Sequence, residues 1–267
     1  MKILVPTDLS DNAKNAFEFA KAYARQQDAS ITLLYAYYAV YDFAAQAAEI
    51  IQAIESDAKK ALKKEIGTGR EEGLQIDYKI VQGTVSTAIN ATVYNGDYDL
   101  VIMGTQGASG IKKTLIGSNT ATVVKESEVA VIAVPAGSTF ESIREITVAI
   151  ELSNENEVFF KRLIELTETW NLPYQVIHVD TKSDFNKTLS FKGLEAFLNE
   201  TYPDCEFHFL RIPAKETDKG LDDYLKDVSD CLLVMFSKNK TFFEFLFNRS
   251  HSVKMAYHTH VPLLVIK

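Results

Sequence analysis

Short, wholly apolar runs alternate with helical stretches along the first 135 residues. KILVP (2–6) is an unbroken apolar run, and NAKNAFEFAKAYARQ (12–26) carries apolar residues at helical spacing. ITLLYAYY (31–38) predicts a second strand, and a long helical stretch follows over 44–73. QIDYKIVQG (75–83) alternates apolar and polar positions, the pattern of a strand at a sheet edge. TAINATVYNG (87–96) predicts a short helix and DLVIMG (99–104) a buried strand. SNTATVVKES (118–127) predicts a helix, and VAVIAVP (129–135) a last strand closed by proline. Continuous apolar strands separated by helices predict a parallel sheet covered on both faces, with right-handed crossovers.

AGSTFESIRE (136–145) breaks this rhythm with small and polar residues and reads as a linker. The order then restarts. EITVAIELSNEN (145–156) repeats the hydrophobic pattern of KILVPTDLSDNA (2–13). CLLVMFSKNK (231–240) repeats LVIMGTQGAS (100–109), and HVPLLVIK (260–267) repeats EVAVIAVP (128–135). The early match, Ile146 on Ile3, is offset by 143 residues, and the late match, Met235 on Met103, by 132. The second half has therefore lost about 11 residues in its middle. The reading is an α/β unit of five strands, duplicated: residues 1–138 and 143–267.

A net charge of −8 argues against a broad nucleic-acid or membrane surface, since both need clustered Lys and Arg. The apolar run at the N-terminus ends at Pro6, too short for a signal peptide or a membrane span. Cys205 and Cys231 are too few for a disulfide framework, so a reducing cytoplasm is expected, with both thiols as buried small residues.

The chemistry concentrates in GTQGASGIKKTLIGS (104–118). Gly104, Gly107 and Gly117 follow the spacing G-x2-G-x9-G-S, closed by Ser118. Gly104 ends a buried strand, and Gly117-Ser118 opens a helix whose N-terminus offers N–H groups and a positive dipole end to an anion. Asn119 and Thr120 stand where they can join Ser118. The alternative is structural: the glycines shape two tight turns and Ser118 caps the helix. No GxxxxGK[ST] and no GxGxxG is present. At the end of the first strand, Pro6-Thr7-Asp8 would face Gly104 across a crevice if the first and fourth strands are neighbours. The Asp8 carboxylate can accept from a ribose hydroxyl or an adenine amino group, or it can cap the helix that follows. Lys112 and Lys113 either reach phosphates or are solvated.

The residues P-T-D-L-S, V-I-M-G-T-Q-G and G-x2-G-x9-G-S resemble the universal stress protein family, and the resemblance covers both halves. It implies two tandem five-stranded parallel-sheet domains of strand order 3-2-1-4-5, packed as a pseudo-dimer through their last strands, with a homodimer of chains as a further option. It implies ATP as ligand, with ADP or AMP as alternatives, carrying Mg2+ or Mn2+ on its phosphates. Asp8 would contact the adenosine part, with Pro6 and Thr7 beside it. Ala36 and Met103 would pack on the base. Gly104, Gly107, Gly117 and Ser118, with Asn119 and Thr120, would hold ribose and phosphates. The function implied is a regulatory nucleotide switch acting on an unidentified protein partner. A slow ATP hydrolase and a partner-binding protein that uses no nucleotide are the alternatives.

The second half departs from the motif. The offsets set Phe236 opposite Gly104, Asn239 opposite Gly107, Arg249 opposite Gly117, Glu151 opposite Asp8 and Ala149 opposite Pro6, with Ser250 kept opposite Ser118. This half is therefore expected not to bind ATP in the family manner. The phenylalanines of TFFEFLFNRS (241–250) are expected to fill the emptied crevice, or else to form a patch for a partner. All five histidines lie in this half. His258 and His260 lack acidic or cysteine neighbours for a metal, and His178 reads as a satisfied core residue. Tyr35, Tyr37, Tyr38 and Tyr41 read as packing under the long helix rather than as stacking on a base.

Overall fold

The computed structural model describes all residues except 39–43, 72, 107–116, 153–155, 183 and 238–259. The chain divides into two units, Met1–Phe140 and Glu141–Lys267, with the boundary inside the expected linker.

In the first unit the apolar runs become β1 (Lys2–Thr7), β2 (Ser30–Tyr37), β4 (Leu100–Gly104) and β5 (Ala130–Val134). Every residue of β4 and β5 is buried. Side chains of a strand alternate between faces, so complete burial requires cover on both. The alternating segment becomes β3 (Ile76–Gln82), exposed at every second or third position at the sheet edge. The order is β3-β2-β1-β4-β5, all parallel.

The helices are α1 (Asp11–Gln27), α2 (Ala44–Glu71), α3 (Val85–Tyr94) and α4 (Ser118–Glu126). α1 starts where the Ser10 hydroxyl accepts from the Ala13 N–H, and stops at Asp28 in the left-handed region. Its stripe of Ala13, Ala16, Phe17, Ala20 and Ala24 is buried. Tyr37 donates to Glu55 of α2 at 2.7 Å, the packing expected of it, whereas Tyr38 is exposed and Tyr41 lies outside the described residues.

The second unit repeats the plan with β6 (Glu145–Ala149), α5 (Asn156–Thr167), β7 (Tyr174–Asp180), α6 (Phe185–Thr201), β8 (Phe207–Pro213), α7 (Thr217–Lys226), β9 (Cys231–Phe236) and β10 (Leu263–Ile266). Its order is β8-β7-β6-β9-β10. The ladders match strand for strand. Ile146 aligns with Leu232 as Ile3 aligns with Leu100, and Leu233 aligns with Leu263 as Val101 aligns with Val131. The missing residues fall in the second helix: α2 has 28 residues and α6 has 17.

The linker is less loose than its composition predicts. Phe140 sets its ring edge-on against Phe19 and Tyr23 of α1, and the Asn15 amide donates to the carbonyls of Pro135 and Ser138. The cysteines also divide. Cys231 is fully buried, and burial pushes its thiol up to about 12. Cys205 is partly exposed, against expectation. A thiol reagent at pH 8 should therefore label one cysteine of the native protein, Cys205, and reach Cys231 only on unfolding. Peptide mapping after timed labelling checks this.

Candidate functional site

β1 and β4 pair at Ile3–Leu100 and Leu4–Val101 and no further, although β1 stays paired with β2 to Thr7 and β4 with β5 to Gly104. The two strands part where the chain order reverses, and a crevice opens between their C-terminal ends. A cavity of ≈ 150 Å³ occupies it. Ten of the residues picked out in the sequence line it: Pro6, Thr7, Asp8, Ala36, Met103, Gly104, Gly117, Ser118, Asn119 and Thr120. Gly107, Lys112 and Lys113 lie outside the described residues.

The T-D-L-S stretch has a local logic that the sequence reading passed over. Leu9 takes φ 64°, a left-handed conformation that costs a leucine on the order of 1 kcal/mol or more. Two side chains hold it there. The Thr7 hydroxyl accepts from the Leu9 N–H at 3.0 Å, and Asp8 Oδ1 accepts from the Ser10 N–H at 3.0 Å. Asp8 therefore braces a turn at the cavity rim. The capping of α1, its alternative role, belongs to Ser10.

The glycine positions also resolve. The N-cap of α4 is Gly117, and Ser118 is the first helical residue, so Ser118 does not cap. The Gly117 N–H donates to the Thr105 carbonyl at 2.6 Å, and a Cβ at Gly117 would stand 3.2 Å from that same oxygen. The backbone N–H groups of Ser118, Asn119 and Thr120 have no acceptor inside the helix and sit on the cavity rim, at the positive end of the dipole. Thr120 Oγ1 donates to the Gly104 carbonyl at 2.8 Å and ties α4 to the end of β4.

Gly104 is glycine because of the protein, not only because of any ligand. A Cβ there would meet Asn12 Nδ2 at 2.7 Å and the Asn12 carbonyl oxygen at 3.1 Å. Asn12 Nδ2 donates to the Gln106 carbonyl at 2.6 Å, so α1 grips the chain as it leaves β4. Its Oδ1 is buried and has no hydrogen-bond partner among the described residues. The sequence reading missed Asn12, which sits one residue past a crowd of capping candidates. It also missed Leu34, Ala13, Val85, Ile89 and Gln106, all of which line the cavity. Leu34 was within reach, two residues before Ala36 on the same strand face. Val85 and Ile89 share one helix face at i, i+4.

The walls thus divide by chemistry. Leu34, Ala36, Val85, Ile89 and Met103 offer an apolar slot, while Asp8, Gln106 and the first turn of α4 offer polar groups. Among the described lining residues Asp8 is the one carboxylate, and none is His, Lys or Arg. No group of three or more His, Cys, Asp or Glu is placed to hold a metal among the described residues.

The corresponding strand end in the second unit carries a phenylalanine packed on α5. Phe236 stands in the ladder where Gly104 stands in the first, and is 2% exposed. Its ring stacks on Phe159 at 4.6 Å and meets Phe160 edge-on at 5.8 Å. The 241–250 segment, Asn239, Arg249, Ser250 and His258 lie outside the described residues. His178 is 5% exposed, with Nδ1 3.0 Å from the Ile150 carbonyl, while Nε2, 3.5 Å from Asp180 Oδ1, makes no hydrogen bond among the described residues. It is thus only half satisfied. His260 Nε2 lies 2.7 Å from the Val228 carbonyl.

The first unit is therefore an open, doubly wound α/β module with a two-sided cavity at its switch point, and the second is a copy that carries Phe236 at the strand end where the first has Gly104. Comparison with known proteins agrees. The universal stress protein family model matches residues 1–135. A universal stress protein of Methanocaldococcus jannaschii is 30% identical over 138 residues, 50% of this chain and 81% of that relative. Another, from Thermus aquaticus, is 30% identical over 137 residues, 49% of this chain and 96% of its own. The crystal structure of a universal stress protein from Archaeoglobus fulgidus covers 100% of this chain and 98% of its own at TM-score 0.72 and 20% identity, a likeness of fold across both units. The chain belongs to the universal stress protein family, with two tandem units of that fold. No helix among the described residues is long and apolar enough to cross a membrane.

Proposed function

We propose that the first unit binds an adenine nucleotide, ATP foremost with ADP and AMP as alternatives, and that the protein is a nucleotide-responsive regulator acting on a protein partner. The observation that carries this is the cavity lining: an apolar slot and a helix N-terminus, whose first N–H groups have no acceptor inside the helix, share one crevice. In this reading the base lies between Ala36, Leu34, Met103, Val85 and Ile89, and Asp8 accepts from the sugar or the base. Gly117 and the N–H groups of Ser118, Asn119 and Thr120 receive the phosphates. A single lining carboxylate is too little for a resident metal, so Mg2+ or Mn2+ would arrive on the phosphates. In this reading the second unit takes no nucleotide in this manner, because Phe236 stands in place of Gly104 and Glu151 in place of Asp8. A crystal grown with ATP that showed nucleotide on Glu151 and Ser250 would overturn that.

The test is to heat-denature the purified protein and chromatograph the released small molecules, beside an Ala36→Phe variant. The variant fills the slot and leaves the Thr105–Gly117 hydrogen bond alone, which Gly117→Val would crowd. The expected result is ATP or ADP from the wild type and at least about tenfold less from the variant, a loss of about 1.4 kcal/mol or more in binding. If neither protein releases nucleotide and added ATP gives no binding heat, the nucleotide reading fails.

A further inference from the structure

The turn that ends β1 has a natural control in the second unit. By the offset of 143, Ile150 stands where Thr7 does, Glu151 where Asp8 does and Leu152 where Leu9 does. Both turns thus keep the leucine, and one of them lacks the threonine hydroxyl. Leu9 takes φ 64°, whereas Leu152 is not among the described residues of positive φ. The left-handed region is unfavourable for leucine, so something must hold Leu9 there. In the first unit the Thr7 hydroxyl accepts from the Leu9 N–H at 3.0 Å. In the second, Ile150 has no hydroxyl to offer, and its backbone carbonyl faces His178 Nδ1 at 3.0 Å.

The hydroxyl acts from a rigid base. Thr7 is the last residue of β1, lies in register with Tyr35 of β2, and is 7% exposed. From there each polar side chain takes an amide two or three residues on. Asp8 Oδ1 accepts from the Ser10 N–H at 3.0 Å, and Ser10 Oγ accepts from the Ala13 N–H at 3.2 Å. The left-handed step at Leu9 is what brings Ser10 back within reach of Asp8. Asp8 is exposed, so packing in the core does not fix its carboxylate. The turn does, and the turn hangs on the buried hydroxyl one residue earlier.

We infer that Thr7 is a positioning residue: its hydroxyl pins Leu9 in the left-handed conformation, and the turn so made holds the Asp8 carboxylate at the cavity rim for the incoming ligand. The ligand half of this rests on the nucleotide reading, and the turn half does not. A group already held in its bound arrangement loses less freedom when the ligand arrives, so the pin adds affinity through Asp8. The need for a pin comes from the leucine. With glycine at position 9 the left-handed step costs little and needs no holder.

The test joins residue-resolved amide exchange on the ligand-free full chain with calorimetric titration of ADP and ATP. The proteins are the wild type, Thr7→Val, Thr7→Ser, Leu9→Gly and the pair Thr7→Val with Leu9→Gly. In Thr7→Val the Leu9 and Ser10 amides should exchange at least about tenfold faster, and nucleotide should bind at least about fivefold more weakly. Thr7→Ser keeps the hydroxyl and should restore both. In the Leu9→Gly background, Thr7→Val should cost less affinity than it does in the wild type. An equal cost in both backgrounds overturns the inference, because Thr7 then acts as a wall of the cavity and not through Leu9. Amides equally protected with and without the hydroxyl overturn it too, as does a turn that loosens while nucleotide affinity stays the same. If the wild type takes neither nucleotide, the nucleotide reading fails and the role of Asp8 falls with it. Amide exchange alone then decides whether Thr7 holds the turn.

Discussion

Replacing Gly104 by alanine should destabilise the first unit and weaken nucleotide retention together. The new Cβ would sit 2.7 Å from Asn12 Nδ2 and 3.1 Å from the Asn12 carbonyl oxygen. The amide could swing away only by releasing the Gln106 carbonyl, which it holds at 2.6 Å. The carbonyl belongs to the backbone of α1, whose apolar stripe is buried, so it cannot retreat. Overpacking of this kind costs about 1–3 kcal/mol. Asn12→Ala should lose the Gln106 hydrogen bond without creating a clash. In the Asn12→Ala background the alanine at 104 should cost less than in the wild type, because most of the close contact is then gone. A double-mutant cycle by urea unfolding measures this coupling, expected at about 0.5–3 kcal/mol. Strictly additive losses would mean that Gly104 and Asn12 act independently.

The same pair shows where sequence reading reaches and where it stops. The five-strand plan was legible in both halves because fully buried parallel strands are continuous apolar runs, and such runs are visible without a structure. The cavity lining was legible in part because it lies at strand ends and at a helix start, positions that punctuation residues mark: Pro6, Gly104 and Gly117. What was not legible depends on distance in space. Nothing in the sequence connects Asn12 with Gln106, 94 residues away. Nothing in it says that Gly104 is glycine to admit a neighbouring asparagine as well as a ligand. Val85 and Ile89 look like any apolar pair on a short helix until α3 is seen to pass over the crevice. The missing 11 residues could be counted from the offsets, yet only the ladders placed them in the second helix.

Phe236→Ala is expected to have the larger effect on stability, and to bear on why the second unit lost its glycine. Phe236 is the last residue of a wholly buried strand. Its ring lies nearly parallel to that of Phe159, 9° between planes, and at 66° to that of Phe160. Such pairs contribute about 0.5–1.5 kcal/mol beyond the area they bury. In the first unit the matching positions hold Gly104 on β4 and, by the offset of 143, Ala16 and Phe17 on α1. Two of the three aromatics in the second unit thus stand where the first has its smallest residues, on facing elements. The exchange is concerted: either phenylalanine alone beside its original neighbour would leave a gap or a clash. Truncating Phe236 removes one side of that stack and leaves a cavity in a wholly buried strand end. The expected loss is about 3–5 kcal/mol, which for a unit of this size lowers its melting temperature by about 10 °C or more. The cavity left behind should stay without nucleotide, since the wall opposite keeps Phe159 and Glu151 replaces Asp8. Calorimetric melting of Phe236→Ala with and without ATP checks both halves of the expectation. A variant that melts as the wild type does would show that the stack is not part of the core. A variant of the second unit that gains ATP binding would show that the aromatic ring alone had closed the site.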